Sequence, residues 1–375
     1  MSGIASPYKP RRGRRRAKTG SDAQWRSRRT DAAPLAPALA SPPQCSSSSP
    51  PPSRLLTVHL LTLSLVEEYV ANLPAFCAHY YERQSNHSVL LVAPTAQAPA
   101  LARRLAGPSC QPPTQHAQIL AWKPQACGSR FLLQAVDIAA PRRYAQLQAS
   151  CNGRNWSQEY ALYSGSFFVS QLLWLPSLGD SDWYVKVDTD VVFQRPMPFD
   201  LSIELARDPK TVVAHTGLQP SNSCERGVLQ ALRRFRSRGA VRPPPPMSPW
   251  CESAESLPAV FYGNFVAYRT TFMRSKPVLE LSRYLYRHEG HGYFRYRWGD
   301  QASPPAFMCH ALRESAPSGA RTGLGGTETL FPEYTRHLDA LRGLVFKHER
   351  SSAMKKQLKL ATPKPTPTPK REGVS

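Results

Sequence analysis

Two aspartates one residue apart, Asp188 and Asp190, end a run of bulky residues, Trp183-Tyr184-Val185-Lys186-Val187. That run predicts a buried strand. Carboxylates spaced i, i+2 at the carboxyl end of a strand can share a tight bend and hold a hard divalent cation, directly or through water. A cation there neutralises the charge that builds on a leaving diphosphate. This is what transfer of a sugar from a nucleotide donor requires. Val191-Val192-Phe193 resumes burial after the pair. Acids clamped between buried segments are costly unless paired or metal-bound. The plain alternative is a surface turn, because Asp-x-Asp arises often by chance.

Two further blocks carry hydrogen-bonding chemistry. Tyr296-Arg297-Trp298-Gly299-Asp300-Gln301 follows an amphipathic helical stretch, residues 276–290. Asp300 either N-caps the helix after it or, with Arg297 and Trp298, contacts a donor or acceptor sugar. In Phe261-Tyr262-Gly263-Asn264-Phe265 the glycine allows close approach of backbone to a ligand, and Asn264 can bond sugar hydroxyls. A β-bulge would use the same Gly-Asn pair without any ligand.

The elements that must position these residues alternate. Residues 55–64 and 88–94 read as strands, 66–84 as a helix kinked or divided at Pro74, 96–106 as a helix, and 117–123 as a third strand. A helix is expected over 157–174, a strand at 211–217, a basic helix at 226–237, and a strand leading into a helix over 261–275. This order predicts an α/β fold, a mostly parallel mixed sheet flanked by helices, with ligands at the carboxyl ends of its strands.

The chain has 375 residues and a formal net charge of +22. Residues 1–54 hold eleven Lys/Arg against two Asp/Glu, and residues 350–375 hold seven against one. Most of the excess charge therefore lies in two Pro/Ser-rich ends, 1–53 and 351–375, whose composition predicts disorder. The segment between, 54–350, is expected to be the folded domain. This distribution weakens a nucleic-acid role, although Arg11–Lys18 and Arg233–Arg238 keep it as an alternative. The eight cysteines include no CxxC pair, which argues against a zinc ribbon. They permit disulfides and, with sequons at Asn86 and Asn155, lean toward a secretory lumen. The apolar run 55–66 is too short to span a bilayer, which takes about 20 residues, so no membrane anchor is visible. The N-terminal composition also fits an organelle transit peptide.

Taken together, the blocks resemble, distantly, the yeast-type α-1,2-mannosyltransferase family of GT-A enzymes that use GDP-mannose. Residues 160–168 (YALYSGSFF) are similar to its Tyr-Ser-Gly-Phe-Phe block. Residues 183–191 are similar to its strand ending in Glu-Pro-Asp, with Asp188 and Asp190 as the two acids. GNFV (263–266) and RWGD (297–300) are similar to its Ser-Asn-Phe-Glu and Arg-Trp-Gly-Asp blocks. The resemblance implies a GT-A fold, Mn²⁺ or Mg²⁺, a nucleotide-sugar donor, a glycan or glycoprotein acceptor, and the Golgi lumen. It implies Tyr163, Asn264, Arg297 and Trp298 as donor or substrate contacts and Asp300 as the catalytic residue. His348 is the expected third metal ligand, with His337 as its alternative. Val266 stands where the family has a proposed nucleophilic Glu. A double displacement through that position is therefore unavailable, leaving a front-face route or Asp300 as a base. A catalytically inactive sugar-binding module is the further alternative that Val266 raises.

Overall fold

Four strands of near-continuous apolar sequence run parallel at the centre of the fold. In the computed structural model the described residues are 45–46, 53–106, 119–124, 127–138, 144, 147, 149–151, 154–156, 161–220, 225–238, 251, 257, 259–289, 291–296, 298–312, 334–338 and 341. All lie within the unit Ser41–Ser375. The basic ends, apart from the few positions named above, lie outside them. So do most of the proline-rich loop expected at 242–253, Gly290, Arg297 and His348.

The strands in chain order are β1 (Cys45–Ser46), β2 (Ser53–Leu60), β3 (His87–Pro94), β4 (Ile119–Trp122) and β5 (Arg130–Val136). A separate ribbon follows, β6 (Ala149–Cys151) with β7 (Arg154–Trp156). Then come β8 (Ser181–Val187), β9 (Val213–His215), β10 (Leu218–Pro220), β11 (Ala259–Phe261), β12 (Phe265–Arg269) and β13 (Thr335–His337). Nine of them form one sheet in the order β1-β4-β5-β3-β2-β8-β12-β9-β13. The pairs β5–β3, β3–β2, β2–β8 and β9–β13 are parallel. The pairs β1–β4, β4–β5, β8–β12 and β12–β9 are antiparallel. The mostly parallel mixed sheet is therefore as expected. β1 falls inside the segment whose composition predicts disorder.

One strand assignment differs from the sequence expectation. The stretch around 119–122 is not the third parallel strand. β5, read as no element from sequence, takes that place beside β3, and β4 lies antiparallel on its far side. Only residues 123–129 link β4 to β5, too few for the crossover of a dozen or more that a parallel pair needs.

Both faces of the sheet are buried, which explains the unbroken apolar runs. Alternate residues of the central strands feed two cores. Leu56, Val58, Leu90, Val92, Tyr184 and Val266 enter one. Leu55, Val89, Leu91, Trp183, Val185 and Val187 enter the other. Each fully buried aliphatic side chain contributes roughly 1.5–3 kcal/mol.

The helices cover these faces. α1 (Val66–His79) runs through Pro74 and gives way to a short 3₁₀ turn, Tyr81–Arg83. α2 (Ala98–Ala106) and α3 (Ala161–Gln171) follow, the latter wound as a π-type helix. Next are α4 (Leu201–Ala206), α5 (Val228–Ser237), α6 (Thr270–Met273), α7 (Lys276–His288), α8 (His291–Tyr296) and α9 (Ser303–Ala311). Asp200 caps α4, its carboxylate accepting from the backbone N–H of Ser202 and Ile203. Disulfides Cys77–Cys127 and Cys251–Cys309 tie α1 to the approach to β5, and α9 to residue 251. No helix among the described residues is long and apolar enough to cross a membrane.

Candidate active site

The strand that ends at Asp188 carries one charged residue within its buried run, Lys186. Strand alternation sends Trp183, Val185 and Val187 to one core and Tyr184 and Lys186 to the other. Lys186 is 3% exposed, paired across the sheet with Val266, and its ammonium lies 5.3 Å from the centre of the Phe168 ring on α3. A buried ammonium is tolerated only when all its donors are met, and an ammonium has three.

All three are met, each by a different sequence block. The Lys186 ammonium lies 2.6 Å from Asp188 Oδ1 and donates at 2.6 Å to the Gly263 carbonyl. It also pairs with Asp300 Oδ2. The three motif regions, distant in sequence, therefore meet at one nitrogen at the carboxyl end of β8. Burial alone would push the lysine pKa down. The Asp188 and Asp300 carboxylates outweigh burial and hold it above the ordinary value. The ammonium is thus a fixed positive charge at neutral pH.

The backbone reinforces this junction. The Asp188 N–H donates to the Asn264 carbonyl at 3.0 Å, continuing the β8–β12 ladder by one residue. The Val191 N–H donates to the Asp188 carbonyl at 3.2 Å, closing the turn that contains Asp190. Asn72 of α1 holds that turn from outside, donating to the Thr189 carbonyl at 3.1 Å. The Asp188 side chain is one-third exposed, and Asp190 is partly exposed. Buried Asn264 donates from its amide to the Tyr262 hydroxyl at 3.2 Å.

Asp300 does not cap the following helix. The N-cap of α9 is Ala302, which supplies no side-chain bond, and the Asp300 carboxylate turns to Lys186 instead. The Tyr268 hydroxyl donates to the Asp300 carbonyl oxygen at 3.3 Å and fixes its backbone. Gly263 is required by this packing. A Cβ there would stand 2.9 Å from Asp300 Oδ2 and 3.1 Å from Gln301 Cγ. Beneath Lys186, a cavity of about 10 Å³ lined by Phe168, Tyr184, Tyr268 and Met273 has room for a single water.

Other expected residues have different settings. Trp298 is 1% exposed, and its indole N–H donates to the Arg226 carbonyl at 2.8 Å. Tyr163 stands half-buried on the first turn of α3 and packs against the core on that face of the sheet. His337, on β13, meets the Thr216 carbonyl at 3.1 Å from Nε2 and faces the His215 ring at 5.3 Å. Arg297 and His348 lie outside the described residues. Lys186 is the residue that the motifs did not single out. Its signal was a lone cation inside an otherwise apolar run, which demands a buried counter-charge.

No group of three or more His, Cys, Asp or Glu able to hold a metal occurs among the described residues. The chemistry of the donors still suits a hard cation. Asp188, whose Oδ1 pairs with Lys186, and Asp190 are two carboxylates set two residues apart just after β8. Mg²⁺-type ions are commonly held by one or two carboxylates, with substrate phosphates and water completing the shell.

No family profile matches the chain, and no curated protein does. Solved structures do. The chain is similar to the mannosyltransferase Ktr4p of S. cerevisiae, with a TM-score of 0.49 and 13% identity over 73% of this chain and 71% of that one. It is similar to core-mannan synthase A of Aspergillus fumigatus in its Mn/GDP form, with a TM-score of 0.48 and 10% identity over 78% and 85%. Mouse xyloside xylosyltransferase 1 gives a TM-score of 0.36 and 14% identity over 76% and 84%.

Proposed function

We propose that this protein is a metal-dependent glycosyltransferase that moves a hexose from a nucleotide sugar to a glycan or glycoprotein. The observation that carries this is the convergence of Asp188, Gly263 and Asp300 on the buried Lys186 ammonium. A merely decorative surface turn would have no reason to be tied by a desolvated ion pair to two other loops.

In this mechanism Asp188 and Asp190, with His348, are the residues that would hold Mn²⁺ or Mg²⁺. The bound cation supplies neutralisation of the leaving nucleoside diphosphate. Lys186 orients Asp188 in the way that outer-shell partners orient metal-binding carboxylates. The acceptor hydroxyl attacks the anomeric carbon, the diphosphate departs with the bonding electron pair, and Asp300 takes the hydroxyl proton. Asn264, Tyr163 and Arg297 serve as contacts to the sugar or its donor. Trp298 acts beneath that surface by holding the loop that carries Asp300. Val266 is fully buried in the sheet, so no nucleophile acts from that position. GDP-mannose is the donor that the sequence blocks favour. The two disulfides favour an oxidising, secretory-pathway lumen.

The test is calorimetric titration of the full chain with GDP and with UDP, each with and without Mn²⁺. One nucleotide is expected to bind only with the metal present. Asp188→Asn and Asp190→Asn are each expected to abolish transfer while leaving the melting temperature within a few degrees. Turnover retained in both variants would sink the assignment.

A further inference from the structure

A second set of polar groups borders the Lys186 junction, and it is uncharged. The ribbon β10–β11 stands off the main sheet and delivers its chain directly into Tyr262-Gly263-Asn264. The Tyr262 N–H donates to the Gly217 carbonyl at 2.9 Å, so the ribbon's open end is locked beside the site. From this ribbon Gln219 reaches across to the turn after Asp300, its Nε2 donating to Gln301 Oε1 at 2.8 Å. Both glutamines are half-buried.

The bond between them uses one donor and one acceptor. Two amides together offer four donors and two carbonyl oxygens. Gln219 therefore retains its oxygen and one N–H, and Gln301 retains both its N–H groups. No other hydrogen bond engages them among the described residues. A fixed pair that presents an acceptor beside donors matches a sugar hydroxyl, which itself both donates and accepts. A phosphate would instead call for cations.

Gly263 places this pair relative to the reacting end of the site. Asp300 Oδ2 and Gln301 Nε2 lie 2.9 and 3.3 Å from the single point where a Cβ on Gly263 would stand. The amide pair and the Asp300 carboxyl group, whose Oδ2 pairs with Lys186, therefore border the same spot.

We propose that Gln219 and Gln301 form the subsite that reads a hydroxyl of the acceptor sugar, next to the hydroxyl that Asp300 deprotonates. This rests on the transferase function proposed above. It adds that the acceptor is a neutral sugar held by amides, and that the pair sets its selectivity.

The experiment is saturation-transfer NMR on the full chain without nucleotide, using methyl α-D-mannopyranoside, methyl α-D-glucopyranoside and methyl β-D-galactopyranoside as probes. At least one should bind the unaltered chain. Gln219→Leu and Gln301→Leu should each weaken it about fivefold or more, the loss of one net hydrogen bond. If a Leu variant melts lower, Gln219→Asn and Gln301→Asn, which retain an amide withdrawn by one methylene, should show the same weakening. Equal binding by all variants, or no glycoside bound by the unaltered chain, overturns the subsite. Weakening seen only with a nucleotide sugar would mean that the pair reads the donor hexose, and also overturns it. Titration of the same samples with GDP, UDP and Mn²⁺ reports the transferase assignment separately. Glycoside binding lost in the variants with no nucleotide bound at all would overturn that assignment and keep the sugar site.

Discussion

Lys186 shows how one side chain can hold a site and still be easy to overlook. Its three N–H groups are consumed by Asp188, Asp300 and the Gly263 carbonyl, so it acts through those groups and does not itself meet a substrate. Lys186→Met removes the buried cation and leaves Asp300, only 11% exposed, without its counter-charge. Breaking such a pair costs about 3–5 kcal/mol, which a urea titration would read directly. Lys186→Met combined with Asp300→Asn restores charge balance and should recover much of that stability while transfer stays lost. Equal stability of the single and double variants would mean that the ion pair is not buried as described. Gly263→Ala probes the same junction sterically. A Cβ 2.9 Å from Asp300 Oδ2 forces a shift costing about 1–3 kcal/mol. It should lower kcat more than it raises the donor KM, because the group displaced is the base proposed above. The two acids and the Gly-Asn step could be singled out as candidates in sequence because their types and spacing carry chemistry by themselves. Lys186 was not, because its meaning depends on partners 77 and 114 residues away.

At the scale of elements, hydrophobic period made β2, β3, β8 and β12 visible, since each is buried on both faces or alternates cleanly between two cores. It could not say which of two adjacent apolar runs, Ile119–Trp122 or Arg130–Val136, would join the parallel set. That choice is made by connection length and by the neighbouring strand. Period also could not distinguish a ligand-binding tryptophan from an anchoring one. Trp298 sits in a block whose sequence points to sugar contacts, yet it is buried and Gly292 makes room for its ring. A Cβ on Gly292 of α8 would stand within 2.4 Å of three ring carbons. Gly292→Ala is therefore expected to destabilise the chain by about 1–3 kcal/mol through overpacking. It should also expose the indole, seen as a red shift in tryptophan emission. An unshifted spectrum and unchanged melting temperature would mean that α8 yields freely and that Trp298 does not anchor the loop before Asp300.

The whole molecule has a second polar core, on the sheet face opposite Lys186, and it governs stability against acid. Thr57 bonds to the Tyr80 hydroxyl at 2.9 Å and to His87 Nε2 at 2.8 Å, and His87 Nδ1 meets Ser129 at 3.0 Å. His59 Nε2 meets the Tyr81 hydroxyl at 2.6 Å. Burial drives both imidazoles down to about 3 from the usual 6.5, and for His87 the neighbouring His59 adds to the fall. In the folded chain both are neutral above that value, whereas the unfolded chain protonates them below about 6.5. Between those limits the unfolded state binds more protons, so stability must fall as pH falls. The contribution is complete above pH 6.5 and is lost progressively toward pH 3, at roughly 1 kcal/mol per pH unit for each imidazole. This core links the end of α1, β2, β3 and the residue before β5, and Cys77–Cys127 ties the first of these to the last. Acid should therefore open that half of the sheet, and with it the support that α1 gives the Asp188 turn through Asn72. Urea midpoints measured from pH 7 to pH 4 should decline steeply, and His87→Gln, which keeps a neutral hydrogen-bonding side chain there, should flatten the slope even if it lowers stability at pH 7. A slope unchanged by that substitution would show that the acid sensitivity arises elsewhere in the fold.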